Sequence, residues 1–247
     1  MPKQNFSLST PLLNAAGTLG FAPDARLPVD MARLGAFVTN PVSWGARTPA
    51  RGERHIPYPG GFLLHTGLPN PGLSAVIRQY RKRWARSPLP VIVHLLAQEA
   101  ASLGKMVERL EEVEGVMGVE IGLPPDGDPD LAYEVAAAAV GELPVIVQVP
   151  FECCDEIAEA VAEAGVSAIS LAAPRGTLMG QDGNLVSGRL YGPGVFALAL
   201  GAVRKLAGLG IPLIGAGGVY RQADVDAMLA AGALAVQLDA VLWRGDF

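Results

Sequence analysis

Eight short runs of almost continuously apolar residues recur along this chain, and six of the intervals between them have the composition of helices. Strands without polar alternation are typical of parallel sheets that are buried on both faces. Eight such strands separated by helices predict an α/β protein with a parallel (β/α)₈ TIM barrel. The predicted strands are Leu12–Ala16, Ala36–Asn40, Val91–Leu95, Val116–Ile121, Val145–Val149, Ala168–Ala172, Pro212–Gly215 and Ala233–Leu238. The predicted helices are Leu73–Ala85, Glu99–Glu112, Asp130–Val140, Asp155–Ala164, Val195–Ala207 and Gln222–Ala231.

The length of the chain predicts one barrel domain over residues 1–247, without a linker or a second domain. A TIM barrel typically takes about 250 residues. A doubly wound sheet is the alternative architecture. The segment Asn14–Gly20 does not spell the glycine fingerprint that follows the first strand of that fold.

The end of the sequence carries a prediction about assembly. Nine residues follow Leu238, so the barrel is expected to lack its eighth helix. Without that helix, apolar surface near Val241, Leu242 and Trp243 should be exposed. Because large exposed apolar patches usually mark a contact, we expect a homo-oligomer or a partner subunit on this side.

Composition excludes several classes of protein. The formal net charge of −5 argues against nucleic-acid binding, which needs an excess of Lys and Arg. No run of about 20 apolar residues is present, so no membrane span is expected. The two cysteines, Cys153 and Cys154, are adjacent and form no disulfide framework, which favours the cytoplasm.

A glycine-rich turn after the seventh predicted strand is the sharpest local signal for a ligand site. The strand runs into Gly215, Gly217 and Gly218, and a helix follows shortly afterwards. Bare backbone N–H groups at such a turn can bind phosphate oxygens, and barrel phosphate sites commonly use this position. The alternative is a turn that simply needs positive φ. Two long connections, 41–90 and 174–194, follow strand ends and are also expected to be functional.

Four segments together resemble the dihydroorotate dehydrogenase family, which consists of flavin-dependent barrels. Asn14–Gly20 is similar to its first-strand flavin segment, and Leu34–Thr39 is similar to its second strand. Gly61–Gly72 resembles its substrate loop, and Ile214–Gly218 resembles its flavin-phosphate glycines. The resemblance implies FMN as cofactor and oxidation of a CH–CH bond in a small ring, as in pyrimidine biosynthesis.

The resemblance also assigns residues to two roles. The positions implied to bind the cofactor are Ala16, Gly17, Asn40, His94, Glu120, Gln148, Gly192, Gly215, Gly217 and Gly218. The positions implied to bind a small-molecule substrate are His65, Gly67, Leu68 and Asn70.

Several family positions carry different chemistry in this chain. The two lysines that stabilise a reduced flavin correspond to Asn40 and Gln148, and the catalytic base corresponds to Leu123. A leucine cannot accept a proton, so His65 is the candidate base, since imidazole exchanges protons near neutral pH. Asp239 replaces a glycine of the phosphate site, where its charge would repel phosphate.

Three hypotheses follow. The first is a flavin oxidoreductase of dihydroorotate dehydrogenase type whose substrate is not dihydroorotate itself. The second is a catalytically inactive barrel that serves as a partner subunit or binds a small ligand. The third is a repurposed metal-binding pocket, for which scattered pocket polarity is the simpler explanation, and no metal ligand is predicted. Its candidate residues are His65, His94, Glu120, Gln148 and Asp239.

Overall fold

The computed structural model describes residues 8–27, 29–97, 99–245 and 247. Eight parallel strands lie in the order β1-β12-β11-β8-β7-β6-β5-β2 and form a nearly closed barrel. The predicted TIM barrel is therefore confirmed. The barrel strands are β1 (Leu12–Asn14), β2 (Phe37–Val38), β5 (Val91–Leu96), β6 (Val116–Gly122), β7 (Val145–Val149), β8 (Ala168–Leu171), β11 (Leu213–Ala216) and β12 (Ala235–Leu238).

Six α-helices surround the described part of the barrel, close to the predicted positions. They are α1 (Leu73–Trp84), α2 (Ala100–Glu111), α3 (Pro129–Ala139), α4 (Cys154–Glu163), α5 (Phe196–Leu206) and α6 (Gln222–Ala230). Their apolar faces pack on the outside of the strands in one continuous core, in which Trp84 of α1 is the largest fully buried side chain. None of these helices combines the length and the apolar character that crossing a membrane requires.

The side chain of Asn14 bridges the gap between the first two barrel strands, β1 and β2. Leu13 and Ala36 form a single parallel bridge there. The buried amide of Asn14 accepts a hydrogen bond from the N–H of Val38 (2.9 Å) and donates one to its carbonyl (2.7 Å). A buried Asn in an otherwise apolar strand thus replaces the missing backbone ladder.

The two long connections contain strands that the sequence analysis treated only as loops. They form an antiparallel sheet in the order β3-β4-β10-β9. Segment 41–90 supplies β3 (His55–Tyr58) and β4 (Gly61–Leu64), and segment 174–194 supplies β9 (Arg175–Met179) and β10 (Leu185–Tyr191). Because both connections leave the carboxyl ends of barrel strands, this sheet lies over the mouth of the barrel.

The inside of the barrel is divided into an apolar and a polar layer. Its apolar side chains are Leu13, Ala36, Val38, Ile92, Ile146, Ala168, Ile214 and Ala235. Side chains two positions apart on a strand face the same side. Two positions closer to the barrel mouth, the inward-facing residues become polar: His94 follows Ile92, Gln148 follows Ile146, Ser170 follows Ala168, and Gln237 follows Ala235.

The end of the described chain differs from the predicted apolar surface. No α-helix follows β12 in the described residues, and a 3₁₀ helix, Ala240–Trp243, comes after it. Val241 (1% exposed) and Leu242 (4%) are buried, because this turn packs into the main core. Trp243 stays half-exposed. The predicted exposure of Val241 and Leu242 is therefore wrong, and the oligomer inferred from it stays a prediction.

Candidate active site

A cavity of about 500 Å³ lies at the barrel mouth, under the antiparallel sheet. Barrel strands contribute the floor and the connections contribute the walls. The lining residues are Ala16, Gly17, Thr18, Arg47, Leu64, His65, Thr66, Gly67, Leu68, Leu96, Ala97, Gly122, Leu123, Pro124, Pro125, Arg175, Gly188, Arg189, Tyr191 and Trp243. Such a volume suits a small organic ligand.

The charged side chains described in the lining are all basic. Arg47, Arg175 and Arg189 line the cavity together with His65, and none of the described lining residues is acidic. Guanidinium groups bind carboxylates through paired hydrogen bonds. The cavity therefore favours an anionic ligand, although the net charge of the whole chain is −5.

Arg189 reaches the floor of the cavity from β10. Its Nη2 donates to Oε1 of Gln148 at 3.3 Å, so it joins the antiparallel sheet to the inner polar layer of the barrel. Burial is the main cause that raises the pKa of the neighbouring Tyr191, while the charge of Arg189 acts against this rise. Tyr191 therefore offers the cavity a neutral phenol.

The predicted substrate loop forms one wall of the cavity. His65, Gly67 and Leu68 line it, whereas Asn70 is buried within the loop itself. The amide of Asn70 donates to the hydroxyl of Ser43 (2.9 Å) and accepts from its N–H (3.1 Å). Asn70 thus holds the loop in place, and its predicted contact with substrate stays a prediction.

Two consecutive residues of this loop have left-handed backbone, with φ of 75° at Gly67 and 53° at Leu68. A Cβ on Gly67 would lie 2.7 Å from the backbone nitrogen of Ala50. For leucine, positive φ is uncommon and costs on the order of 1 kcal/mol or more. In this conformation Leu68 lines the cavity.

The polar layer beneath the floor is centred on a fully buried glutamate. Glu120 accepts hydrogen bonds from Nδ1 of His94 (2.7 Å), Oγ of Ser170 (2.7 Å) and Nε2 of Gln237 (2.6 Å). Burial opposes the charge, but these hydrogen bonds and the charge of His94 outweigh it and lower the pKa of Glu120 below its usual value. An ionised Glu120 requires the proton on Nδ1 of His94.

The other ring nitrogen of His94 points toward the cavity floor. His94 Nε2 is buried and has no hydrogen-bond partner among the described residues. A Cβ at Gly122, which lines the cavity, would lie 2.6 Å from this nitrogen. His94 and Glu120 have no exposed surface and are not themselves part of the lining. Their predicted contact with a cofactor is untested.

The predicted phosphate turn contains two glycines with positive φ, both buried and outside the cavity lining, and its phosphate role stays a prediction. Gly217 (φ 107°) and Gly218 (φ 69°) follow β11 directly. A Cβ on Gly218 would lie 2.4 Å from the backbone nitrogen of Phe196, so only glycine fits. Gly192 (φ 131°) also has room only for a glycine, because an added Cβ would lie 2.2 Å from the carbonyl oxygen of Gly60.

Asp239 places a carboxylate at the end of the neighbouring strand, β12. It caps the carboxyl end of β12 and is 4% exposed. Burial raises its pKa to about 6, while the N–H groups of Ala240, Gly218 and Val241 act against the rise. Its Oδ1 nevertheless has no hydrogen-bond partner of normal geometry in the described residues. A buried carboxylate thus lies at the end of β12, the strand next to β11.

The remaining predicted cofactor residues are dispersed. Ala16 and Gly17 line the cavity. Asn40 accepts a hydrogen bond from the N–H of Gly20 (3.1 Å). A Cβ added to Gly215 would lie 3.1 Å from the sulfur of Met228. None of these contacts tests a role in cofactor binding.

The metal hypothesis finds no support. In the described ranges, no group of three or more His, Cys, Asp or Glu side chains is placed to hold a metal ion. His94 and Glu120 pair with each other below the floor, whereas His65 lies in the cavity wall.

Sequence reasoning missed Arg47 and Arg175 in the cavity and Ser170 and Gln237 below it. The two arginines lie in connections whose strands were not foreseen. Ser170 and Gln237 did leave a signal, because each interrupts an apolar strand at the same spacing as His94 does.

Together, the fold and the site define a parallel α/β barrel with an arginine-lined cavity at the carboxyl ends of its strands, where barrel enzymes bind substrate. A sequence model of dihydroorotate dehydrogenase matches residues 3–247. The chain therefore belongs to the dihydroorotate dehydrogenase family.

Individual relatives agree with this assignment. The catalytic subunit of dihydroorotate dehydrogenase B (NAD(+)) from Pelobacter propionicus is 31% identical, over 94% of this chain and 83% of the relative. The same subunit from Desulforudis audaxviator is 32% identical, over 93% and 82%. Dihydroorotate dehydrogenase A (fumarate) from Lacticaseibacillus paracasei is 28% identical, over 94% and 87%.

Family membership supports FMN as the predicted cofactor, since the family consists of FMN-dependent flavoproteins. The residues of this chain fit only part of that group. The small residues Ala16, Gly17 and Gly122 leave room in the cavity. The phosphate end does not fit in the same way, because Gly217 and Gly218 are buried outside the cavity lining and the buried carboxylate of Asp239 ends the neighbouring strand β12.

Proposed function

We propose that this chain is a dihydroorotate dehydrogenase-like oxidoreductase that acts on the CH–CH bond of a small ring carboxylate other than dihydroorotate. The observation that carries the proposal is the cavity itself. It lies at the mouth of a barrel of this family, and three arginines and no described acidic residue line it.

The arginines would bind the carboxylate of the substrate. Arg189 is the best placed, because its contact with Gln148 holds its guanidinium near the floor. The carboxylate would dock on this group at the inner end, and Arg47 and Arg175 would add positive charge nearer the antiparallel sheet.

Oxidation of a CH–CH bond removes a hydride and a proton. A flavin is the hydride acceptor that family membership indicates, and the chain has to supply the base. Leu123 lines the cavity at the position of the family's base and cannot accept a proton. His65 is the titratable side chain of the lining that can do so, and its backbone is fixed by a hydrogen bond to Arg54 (2.8 Å).

The change of base supports a change of substrate. A proton acceptor on the loop approaches the ring from a different side than one on the floor. The carbon that loses its proton must therefore lie elsewhere relative to the carboxylate. Dihydroorotate has one fixed relation between these groups, which argues for a ring of different substitution.

Flavin bleaching under anaerobic conditions tests this proposal. Purified protein with bound flavin is mixed with dihydroorotate and, separately, with related partly saturated ring carboxylates. We expect bleaching by one of the latter and none by dihydroorotate. His65→Asn should slow bleaching by a factor on the order of 10²–10⁴. Rapid bleaching by dihydroorotate would contradict the proposed substrate.

An arginine pair provides the control for ligand binding. Arg189→Met should weaken binding of the carboxylate roughly tenfold or more, as expected for a lost charged hydrogen bond. Arg204→Met, on the exposed face of α5, should leave binding unchanged. Equal affinities for both variants would remove Arg189 from the site.

Association with a second subunit is part of the proposal as well. Two of the relatives above are named catalytic subunits. Light scattering at micromolar concentration should show an oligomer or a complex, and a stable monomer alone would contradict this part.

A further inference from the structure

Three arginines line the cavity, and a single carboxylate would balance only part of their charge. We infer that the substrate is a small ring dicarboxylate, which has one carboxylate bound by Arg175 and Arg189 together and the other bound by Arg47. The inference rests on the proposed function, because it specifies the substrate class of the same cavity.

Arg175 and Arg189 form a pair on the side of the antiparallel sheet that faces the cavity. The two residues are direct partners in the register of β9 and β10. Residues opposite each other in an antiparallel pair point to the same face, with Cβ atoms about 5 Å apart. Leu64, the partner of Arg189 on β4, belongs to the same row and also lines the cavity. The sheet thus presents two guanidinium groups side by side to a ligand.

This pair of cations calls for an anion, because like charges directly opposite each other destabilise a sheet. Within the described residues, no carboxylate oxygen lies within 4.0 Å of either guanidinium. Glu152 contacts Arg175 at the backbone, where its Oε1 accepts from the N–H at 2.6 Å, and it does not line the cavity. A carboxylate of the ligand can therefore accept hydrogen bonds from both arginines.

The floor of the cavity holds Arg189 in place for this contact. Its Nη2 donates to Oε1 of Gln148, at the end of β7, at 3.3 Å. A guanidinium carries five N–H donors in a planar fork. Arg189 can therefore bind Gln148 and a ligand carboxylate at the same time.

Arg47 is held by a different wall of the cavity. Its backbone forms a bridge with Asn70, with hydrogen bonds of 2.8 and 3.2 Å. Its Nε donates to the carbonyl oxygen of Gly67 at 3.3 Å. These contacts tie Arg47 to the loop that contains His65, and the two Nη groups of the fork are further donors for a ligand.

The two cationic positions belong to nearly opposite sides of the barrel mouth. Arg47 lies in the segment that continues β2, in which Val42 still pairs with β5. Arg189 contacts Gln148 at the end of β7, and the strands between β7 and β2 are β6 and β5. That separation is three steps around a ring of eight strands, in which four steps is the maximum. One carboxylate is too small to reach both positions, whereas a ring with carboxylates on two sides can do so.

Isothermal titration calorimetry of the full-length protein as purified tests the inference. The probes are the ortho, meta and para benzenedicarboxylates, each compared with its monoamide, which has nearly the same shape and one negative charge less. Their rings are already aromatic, so binding is measured without turnover. The variants are Arg47→Met, Arg175→Met and Arg189→Met. The control is Arg51→Met, which is exposed on the same segment as Arg47 and outside the lining; circular dichroism verifies that each variant is folded.

In the wild type and in Arg51→Met, at least one dicarboxylate should bind roughly tenfold or more tightly than its monoamide, as expected for one additional charged hydrogen bond. Arg47→Met should abolish this preference, whereas Arg175→Met and Arg189→Met should weaken the binding of both probes. Equal affinities of every dicarboxylate and its monoamide for the wild type would overturn the inference and leave the proposed function intact. Binding of no probe would also overturn the inference, and flavin bleaching then decides separately on the proposed function.

A second titration separates two sources of the anion at Arg47, a substrate carboxylate and the phosphate of a bound flavin. The same probes are titrated into protein from which any flavin has been removed. We expect the preference for a dicarboxylate with and without flavin. A preference that is present only without flavin would assign Arg47 to the flavin phosphate and overturn the inference.

Discussion

Replacing Glu120 by glutamine should strongly destabilise the barrel. The glutamate is fully buried and accepts hydrogen bonds from His94, Ser170 and Gln237 at 2.6–2.7 Å. A glutamine keeps the shape but can accept at only one of the two oxygen positions, and its NH₂ group would face a donor. Breaking a buried charged pair by neutralising one partner typically costs about 3–5 kcal/mol, so Glu120→Gln should lose that much.

Part of this loss depends on pH. The native environment lowers the pKa of Glu120 from its ordinary value of 4.5. Its contribution to stability is therefore complete above pH 4.5 and is lost as the pH falls through the lowered native pKa. The difference in stability between wild type and variant should be largest near neutral pH and should shrink in acid.

Urea denaturation followed by circular dichroism measures this difference in the free energy of unfolding. The exposed Glu134→Gln on α3 is the control and should change stability by less than about 0.5 kcal/mol. A loss below about 1 kcal/mol for Glu120→Gln, constant with pH, would refute the assignment of an ionised carboxylate to the barrel interior.

Three further predictions concern other parts of the chain. Asp239→Asn should stabilise the protein by up to about 3 kcal/mol at about pH 8 and by little at about pH 4. The reason is that the pKa of Asp239 is about 6 in the folded chain against an ordinary 3.8, so the folded chain loses stability as the pH rises between these values. An effect on chemical denaturation that does not depend on pH would contradict the burial of this charge. Gly218→Ala should lower the stability by about 3 kcal/mol, because Gly218 has positive φ and its added Cβ would lie 2.4 Å from the backbone nitrogen of Phe196, the first residue of α5. The control Gly201→Ala, inside α5 with open space around it, should be neutral or slightly stabilising. Equal effects of the two substitutions in thermal denaturation would contradict the reasoning. Cys154 should react slowly with iodoacetamide at about pH 8, since burial, followed by the Asp155 charge, raises its pKa to about 11; mass spectrometry that finds rapid labelling of the folded chain at this residue would contradict it.

The barrel could be predicted from the sequence because its strands are buried on both sides. The run Val145–Val149 is apolar apart from Gln148, and a buried parallel strand imposes that pattern on the sequence directly. The covering sheet could not be predicted in this way. The strands Arg175–Met179 and Leu185–Tyr191 are largely exposed, and β10 pairs with β4 across more than a hundred residues.

The candidate site was predictable at its loops and not at its charges. The loop around His65 and the turn at Gly217 carry local glycine patterns; the structure places the loop in the cavity wall and the turn after β11, buried outside the cavity lining. The arginine lining depends on tertiary pairing, since Arg189 faces the cavity only because β10 pairs with β4. Glu120 was expected in the ligand pocket, but it is fully buried and lies outside the cavity lining.

The central claim is that this barrel mouth holds a flavin and presents it to a ring carboxylate. A visible absorption spectrum of the protein as purified, followed by release and mass determination of any bound flavin, tests this claim most directly. The account predicts a flavin spectrum and a stoichiometric bound flavin. A colourless protein whose spectrum and stability are unaffected by added riboflavin or FMN would contradict it.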